Sequence, residues 1–173
     1  KTAAILSGYG GGGFPIRTAN PKAQAFFDNG MQLAHAFAHK AAIQAFHEAA
    51  RLDPECAMCL WGEAWAAGPT INYPIAPANQ AKLRALVVRA QALATNAPPK
   101  ERDLIAALAL RYQNGGGTGA GDRAFAQAIA ALAAKYPIDD EIAVLAADAW
   151  MIPSSLLSKS DNVGKAVALL EEV

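Results

Sequence analysis

The sequence predicts an all-α protein whose helices pack as successive antiparallel pairs. Three observations lead to that prediction. Alanine is the commonest residue and β-branched residues are sparse, which favours close-packed helices over a sheet. Apolar residues recur at intervals of three and four, the period of one helical face. Glycine, proline and capping residues separate these stretches into eight segments.

Composition excludes several classes of function. The 173 residues contain 15 basic and 15 acidic side chains, so neither a basic nucleic-acid surface nor an acidic tail is expected. No apolar run is long and charge-free enough for a membrane span. The only cysteines, Cys56 and Cys59, form one C-x-x-C, which is not the disulfide framework of a small secreted protein.

The first 21 residues are predicted to form a flexible arm that lies over the first helices. Glycines at positions 8 and 10–13 precede Phe14-Pro15, and such a segment holds no regular structure by itself. A phosphate-binding glycine loop is disfavoured, because no strand precedes it and no Gly-Lys-Ser/Thr follows.

The first helix pair has the clearest pattern in the chain. Asn20 caps helix one and Pro21 begins it, with the helix ending near Ala38. After a turn at His39-Lys40, helix two continues to Leu52. The predicted apolar stripe of helix one consists of Phe26, Gly30, Leu33 and Phe37.

This pair resembles a tetratricopeptide repeat (TPR). The residues that carry the resemblance are Phe26, Gly30, Leu33, Ala42, Phe46, Ala49 and Pro54. The match is good over Ala23–Ala67 and loose over the rest, and Asn29 stands where the motif has leucine. The resemblance implies a right-handed helical-hairpin solenoid of about four pairs over residues 22–173.

The later helices follow from their caps and breakers. Asp53 is expected to cap helix three, Asp122 helix six and Asp139 helix seven. The long connections all fall inside pairs, so the fold predicts that they gather on one rim with the His39 turn. These connections are Gly68–Pro77, Asn114–Gly121 and Ile152–Asp161.

A second stripe on the first helix of each pair would face the concave groove, as the resemblance implies. The candidate binding residues are Phe27, Met31, His35, Met58, Trp61 and Trp65. Aromatic and thioether side chains adapt to apolar partners, which predicts a scaffold that holds a partner protein or peptide. The alternative interpretation is that these residues are core, packed by the neighbouring pair or by the arm.

A metal or haem protein is the second hypothesis. The soft sulfur ligands of Cys56 and Cys59, together with the imidazoles of His35 and His39, would suit copper or zinc. Against it, the ligand order is wrong for a structural zinc site, and Leu60 follows Cys59 where covalent haem attachment needs histidine. Two small apolar cysteines, or a redox dithiol at a helix start, are the alternatives.

No catalytic motif is present, so an enzyme is not favoured. His47, Glu48 and Glu63 suggest an acid/base group, but a solvated helix face is the simpler interpretation. A third hypothesis is a non-catalytic domain of a larger enzyme, truncated at its C-terminus. The last helix would then pack against the rest of the chain or a second copy. The mature-like N-terminus gives a weak indication of an exported, periplasmic protein.

Overall fold

The computed structural model describes residues 3–113, 119–153, 161–171 and 173, and the regular structure in those ranges is helical. The predicted eight helices are confirmed there. They are α1 (Pro21–His35), α2 (His39–Leu52), α3 (Ala57–Ala66), α4 (Pro77–Leu93), α5 (Pro99–Gln113), α6 (Gly119–Lys135), α7 (Asp140–Met151) and α8 (Asp161–Leu170). A short 3-10 turn, Ala94–Asn96, follows α4. Across the described ranges, every helix falls short of the length and apolarity that a bilayer crossing requires.

The chain separates into two compact units. Unit one consists of Lys1–Ala67 with Lys82–Ile105, and unit two of Gly68–Ala81 with Ala106–Val173. The boundary falls inside α4 and α5. One continuous repeat domain over residues 22–173 stays a prediction.

In unit one, α1, α2 and α3 pack against one another around the ring of Phe46. A Cβ atom at Gly30 of α1 would lie 2.7 Å from that ring, and one at Gly62 of α3 would lie 2.3 Å from it. Both distances are too short for any side chain, so the two glycines let three helices close on one aromatic ring. The importance of Gly30 and Phe46 follows the predicted pattern, whereas the role of Gly62 was not predicted.

The predicted end of α1 is wrong. The helix ends at His35, and Phe37, expected to point inward, is 63% exposed. Its backbone is left-handed, with φ of 59°, and its N–H donates to the carbonyl of Ala34. This is the arrangement in which glycine commonly ends a helix. Phe37 therefore turns the chain instead of joining the core.

Two predicted caps are also wrong. Asp53 closes α2 instead of opening α3, which begins at Ala57 with Cys56 as its N-cap. Asp122 lies inside α6, where it is buried and paired with Arg111. Asp139 is the cap of α7 as predicted, because its carboxylate accepts the N–H of Ile142 at 3.2 Å.

In unit two, α7 packs against both α6 and α8. The buried side chains of α6 and α7 are mostly alanine and aliphatic, with Phe125 and Trp150 as their aromatic members, and Tyr112 of α5 is buried in the same unit. Helix α8 buries Ala166 but leaves Val163, Val167 and Leu170 about half exposed. That apolar stripe accords with the expectation of a covering segment or second copy, which stays a prediction.

Candidate functional site

The N-terminal arm is held along α1 by side-chain amides. The N–H of Leu6 donates to Oδ1 of Asn29 at 3.0 Å, and Nδ2 of Asn29 donates back to the carbonyl of Leu6 at 2.8 Å. Further along, Nε2 of Gln32 donates to the carbonyl of Gly12 at 3.4 Å. Since a primary amide carries both a donor and an acceptor, it can pair with a backbone as a neighbouring strand would.

Gln24 repeats this pairing further along the arm, at Phe14 and Ile16. Its Oε1 accepts the N–H of Ile16 at 3.0 Å, and its Nε2 donates to the carbonyl of Phe14 at 2.9 Å. Nε2 also donates to Oδ1 of Asp28, one turn along α1, which fixes the amide's orientation. The chain in between is therefore recognised through its backbone, whichever side chains it carries.

Alternation along the arm gives the recognition its side-chain component. Phe14 and Ile16 are each 9% exposed, whereas Pro15 and Arg17 face solvent. The ring of Phe14 packs edge-on against Phe27, with 5.2 Å between ring centroids. Nζ of Lys100 lies over the Phe14 ring, 4.2 Å from its centroid. We call Gln24, Phe27, Asn29, Lys100 and Glu101 the arm site.

Two carboxylates hold the end of the arm. The N–H of Arg17 donates to Oε1 of Glu101 at 2.5 Å, and the hydroxyl of Thr18 donates to Asp53 at 2.5 Å. Burial raises the pKa of Glu101, and the hydrogen bond from Arg17 offsets part of that rise. Beside residues 16–19 lies an open cavity of about 790 Å³, which the α2–α3 turn, the end of α4 and the following 3-10 turn also line.

Gly13 shows how closely the arm approaches α1. A Cβ atom there would lie 2.2 Å from Oδ1 of Asp28 and 2.8 Å from its Cα, and the residue has a φ of +91°. Both facts require glycine. Gly11, two residues earlier, has nothing within 4 Å of such an atom. The arm lies over α1 as predicted, whereas its flexibility stays a prediction.

The predicted groove residues pack inside unit one. Phe27, Met31, Met58 and Trp61 are fully buried, and Trp65 is 8% exposed. Trp61 stacks on Trp65 with 5.6 Å between centroids, and its indole N–H donates to the carbonyl of Leu104 at 3.1 Å. His35 is half-buried beside Trp65. These contacts are those of core residues packed by neighbouring helices and by the arm, which was the alternative interpretation.

The structure does not bring the four predicted metal ligands together. Cys56 and Cys59 form a disulfide and are fully buried, so neither offers a thiolate. His39 begins α2 beside Phe37, and His35 lies beside Trp65. Among the residues with described positions, no three His, Cys, Asp or Glu side chains are grouped to hold a metal ion. The four predicted ligands therefore do not form one binding centre here.

The His47 cluster differs from the solvated face that was expected. Glu63 is only 5% exposed, and its Oε2 lies 3.2 Å from Nδ1 of His47. Nζ of Lys82 lies 3.9 Å from its other oxygen, while Glu48 is buried and bonded twice to Arg51. A cavity of about 520 Å³ opens beside this cluster. The pairs compensate buried carboxylates, a role that needs no substrate.

Unit two has its own buried charge. The guanidinium of Arg111 is fully buried, with Nε 3.2 Å from Oδ1 of Asp122 and its centre 4.2 Å from the centroid of the Phe125 ring. Burial raises the pKa of the neighbouring Tyr112 to about 12, so its hydroxyl stays protonated at neutral pH. Asp122 also borders a surface cavity.

That cavity, of about 350 Å³, brings together parts of the three predicted long connections. Its lining residues are Pro69, Thr70, Ile71, Asn72, Tyr73, Pro74, Gly119, Asp122, Ile152 and Pro153. The described parts of these three connections therefore lie together within unit two, whereas the common rim that was predicted to include the His39 turn, a part of unit one, stays a prediction. Ser154 and Ser155 of the third connection, whose hydroxyls could contact a ligand, lie outside the described residues.

The amides of α1 are the residues that sequence reasoning missed. Gln24, Asp28 and Gln32 recur every four residues, so they lie on one polar face of the helix. From sequence alone, such a face is indistinguishable from one that simply contacts solvent. One signal was available. Asn29 stands where the repeat motif has leucine, and an amide in place of an apolar residue suggests a backbone partner.

Comparison with known proteins adds nothing to this geometry. No protein-family model, curated protein or solved structure matches the chain. The resemblance to a tetratricopeptide repeat therefore rests on the residues of the first pair.

Proposed function

We propose that this protein is a binding module for an extended peptide segment, with the arm site as its recognition surface. The observation that carries the proposal is the two-way pairing of Gln24 with the backbone of Phe14 and Ile16. Two buried apolar side chains flank that pairing, so backbone contact and side-chain selection occur together. Peptide-binding domains that add a strand to a sheet edge combine the same two elements.

The proposal keeps the predicted class of function but moves its location. A groove anchored by Trp61 and Trp65 is not favoured, because a partner would have to open the helix packing to reach them. On α1, by contrast, the arm covers part of Phe27, because the ring of Phe14 packs against it. A partner could therefore reach Phe27 by displacing the arm. A TPR-like stack, in which one helix face stays accessible to a ligand, would suit such a module.

The energetics favour modest affinity. Each neutral hydrogen bond contributes only about 0.5–1.5 kcal/mol net, so most of the binding energy must come from the two apolar side chains. Phe14 adds an aromatic contact with Phe27 and a cation–π contact with Lys100.

The test is a titration of the full chain with a fluorescein-labelled synthetic peptide copying residues 12–19, followed by anisotropy. We expect saturable binding to the Gly13→Ala variant, whose arm is weakened by the clash with Asp28, and a loss of at least about fivefold when Gln24→Ala is added to it, because both backbone hydrogen bonds to the peptide are lost. A peptide with alanine at the positions of Phe14 and Ile16 is the matched control and should bind weakly. Binding that ignores both changes would contradict the proposal.

A further inference from the structure

We propose that the N-terminal arm is an internal competitor, which occupies the arm site until a partner segment of the same chemistry displaces it. This inference rests on the proposed function. The partner is a segment with two apolar side chains separated by one residue, followed by a free backbone N–H and a hydroxyl. Phe14, Ile16, Arg17 and Thr18 of the arm present those four groups.

The contacts define what the partner must bring. Its first apolar side chain has to be a ring, because the position lies against both Phe27 and the ammonium of Lys100. The residue between the two anchors is free to vary or to be proline, since Pro15 is exposed and Gln24 bonds only the residues on either side. Glu101 then selects a segment whose next backbone N–H is unpaired.

The arm also shows why exchange is physically accessible. Its attachment consists of amide hydrogen bonds, two apolar side chains and two carboxylate contacts, with no helix or sheet of its own. A Cβ atom at Gly8, Gly10 or Gly11 would have nothing within 4 Å, and Gly8 and Gly10 adopt positive φ, so this part of the arm packs less closely than Gly13 does. A displaced arm would leave Gly30 and Gly62 packed on the ring of Phe46, because neither contact involves the arm. Phe27 would lose its contact with Phe14 and keep the one with Phe46, 5.6 Å between ring centroids.

Competition makes a quantitative prediction. A tethered segment has a high effective concentration, so only a fraction of the chains have an open site at any moment. The apparent affinity for a free peptide equals its intrinsic affinity multiplied by that fraction. Weakening the arm without touching the site should therefore tighten peptide binding. Gly13→Ala does this, since its Cβ would collide with Asp28 while the arm site keeps every side chain.

The experiment compares full-length wild type, Gly13→Ala and Gly11→Ala with the labelled peptide copying residues 12–19. We expect Gly13→Ala to bind at least about tenfold more tightly than wild type. Gly11→Ala, whose new Cβ meets open space, should match wild type. Circular dichroism checks that all three chains are equally helical. If Gly13→Ala is misfolded, the double variant Phe14→Ala/Ile16→Ala replaces it, with the same expected gain.

The outcomes separate the two proposals. Equal binding by wild type and the arm variants would overturn the competition while leaving peptide binding intact. No binding to any of the chains would overturn the proposed function itself. A tenfold gain that disappears when Gln24→Ala is added to Gly13→Ala would support both, because the peptide must then occupy the arm site.

Discussion

Two faces of helix α1 are covered by different kinds of contact. On one face, Gly30 lies against the ring of Phe46 of α2, and Gly62 of α3 contacts the same ring. On the other face, Gln24 and Asn29 hold an extended chain through its backbone. The first contact is made of close-packed carbon atoms, and the second of hydrogen bonds around two apolar side chains.

This difference teaches which contact is permanent. A packed ring between glycines tolerates no added volume, because protein interiors are filled to near crystal density. Amide-to-backbone hydrogen bonds can be exchanged for equivalent bonds to water or to another chain at little net cost. We therefore assign the Phe46 face to stability and the arm face to binding.

The largest expected effect comes from filling the packed face. Gly30→Leu should destabilise the chain by about 3 kcal/mol or more, because its side chain would occupy the space of the Phe46 ring. Chemical denaturation followed by circular dichroism measures the change.

Gly164→Ala in α8 is the control. Its Cβ would meet only Oδ1 of Asp161 at 3.8 Å, so the variant should gain up to about 1 kcal/mol from better helix propensity. If Gly30→Leu were as harmless as this control, the three-helix contact at Phe46 would be wrong.

A smaller loss is expected on the arm face. Gly13→Ala should destabilise by about 1–3 kcal/mol, since it removes a positive-φ glycine and detaches the arm from α1. Gly11→Ala should change stability by less than about 0.5 kcal/mol. Equal effects of the two substitutions would show that the arm does not lie directly on Asp28.

The sequence supported the fold better than the site. Periodicity and chain breakers predicted the eight described helices, because these signals act over a few neighbouring residues, although the caps expected at Asp53 and Asp122 were wrong. The roles of Gly30 and Phe46 followed from the repeat pattern. By contrast, the pairing of Arg111 with Asp122, and of Glu63 with His47, depends on where separate helices meet. Local pattern cannot distinguish such partners from a solvated face.

The arm site was missed for a related reason. Gln24 looks like any polar residue on a helix surface until an extended chain is placed beside it. Phe37 was misassigned because a left-handed backbone is rare for a residue with a side chain. Each error falls where contacts between distant residues, or local backbone geometry, override the periodic pattern.

The smallest effect concerns the charge at the end of the arm. Burial raises the pKa of Glu101, so the folded chain holds that proton more tightly than the unfolded chain does. The resulting stabilisation is present at low pH and is lost as pH rises through the folded pKa. Glu101→Gln keeps an oxygen for the N–H of Arg17 without a buried charge.

We therefore expect the stability of Glu101→Gln relative to wild type to increase as pH rises from about 4 to 7. Thermal melts across that range measure the trend. A variant that loses stability relative to wild type over the same range would show that the charged hydrogen bond outweighs burial.

Hydrogen–deuterium exchange of the arm's backbone amides tests the central claim most directly. The amides of Leu6, Ile16 and Arg17 donate to Asn29, Gln24 and Glu101, so they should exchange at least about tenfold more slowly than unstructured amides. Gly11 should exchange at nearly the unprotected rate. Gly13→Ala should remove the protection of Ile16 and Arg17 while leaving that of α2 unchanged. Unprotected exchange at all three arm amides in wild type would contradict an arm held on α1.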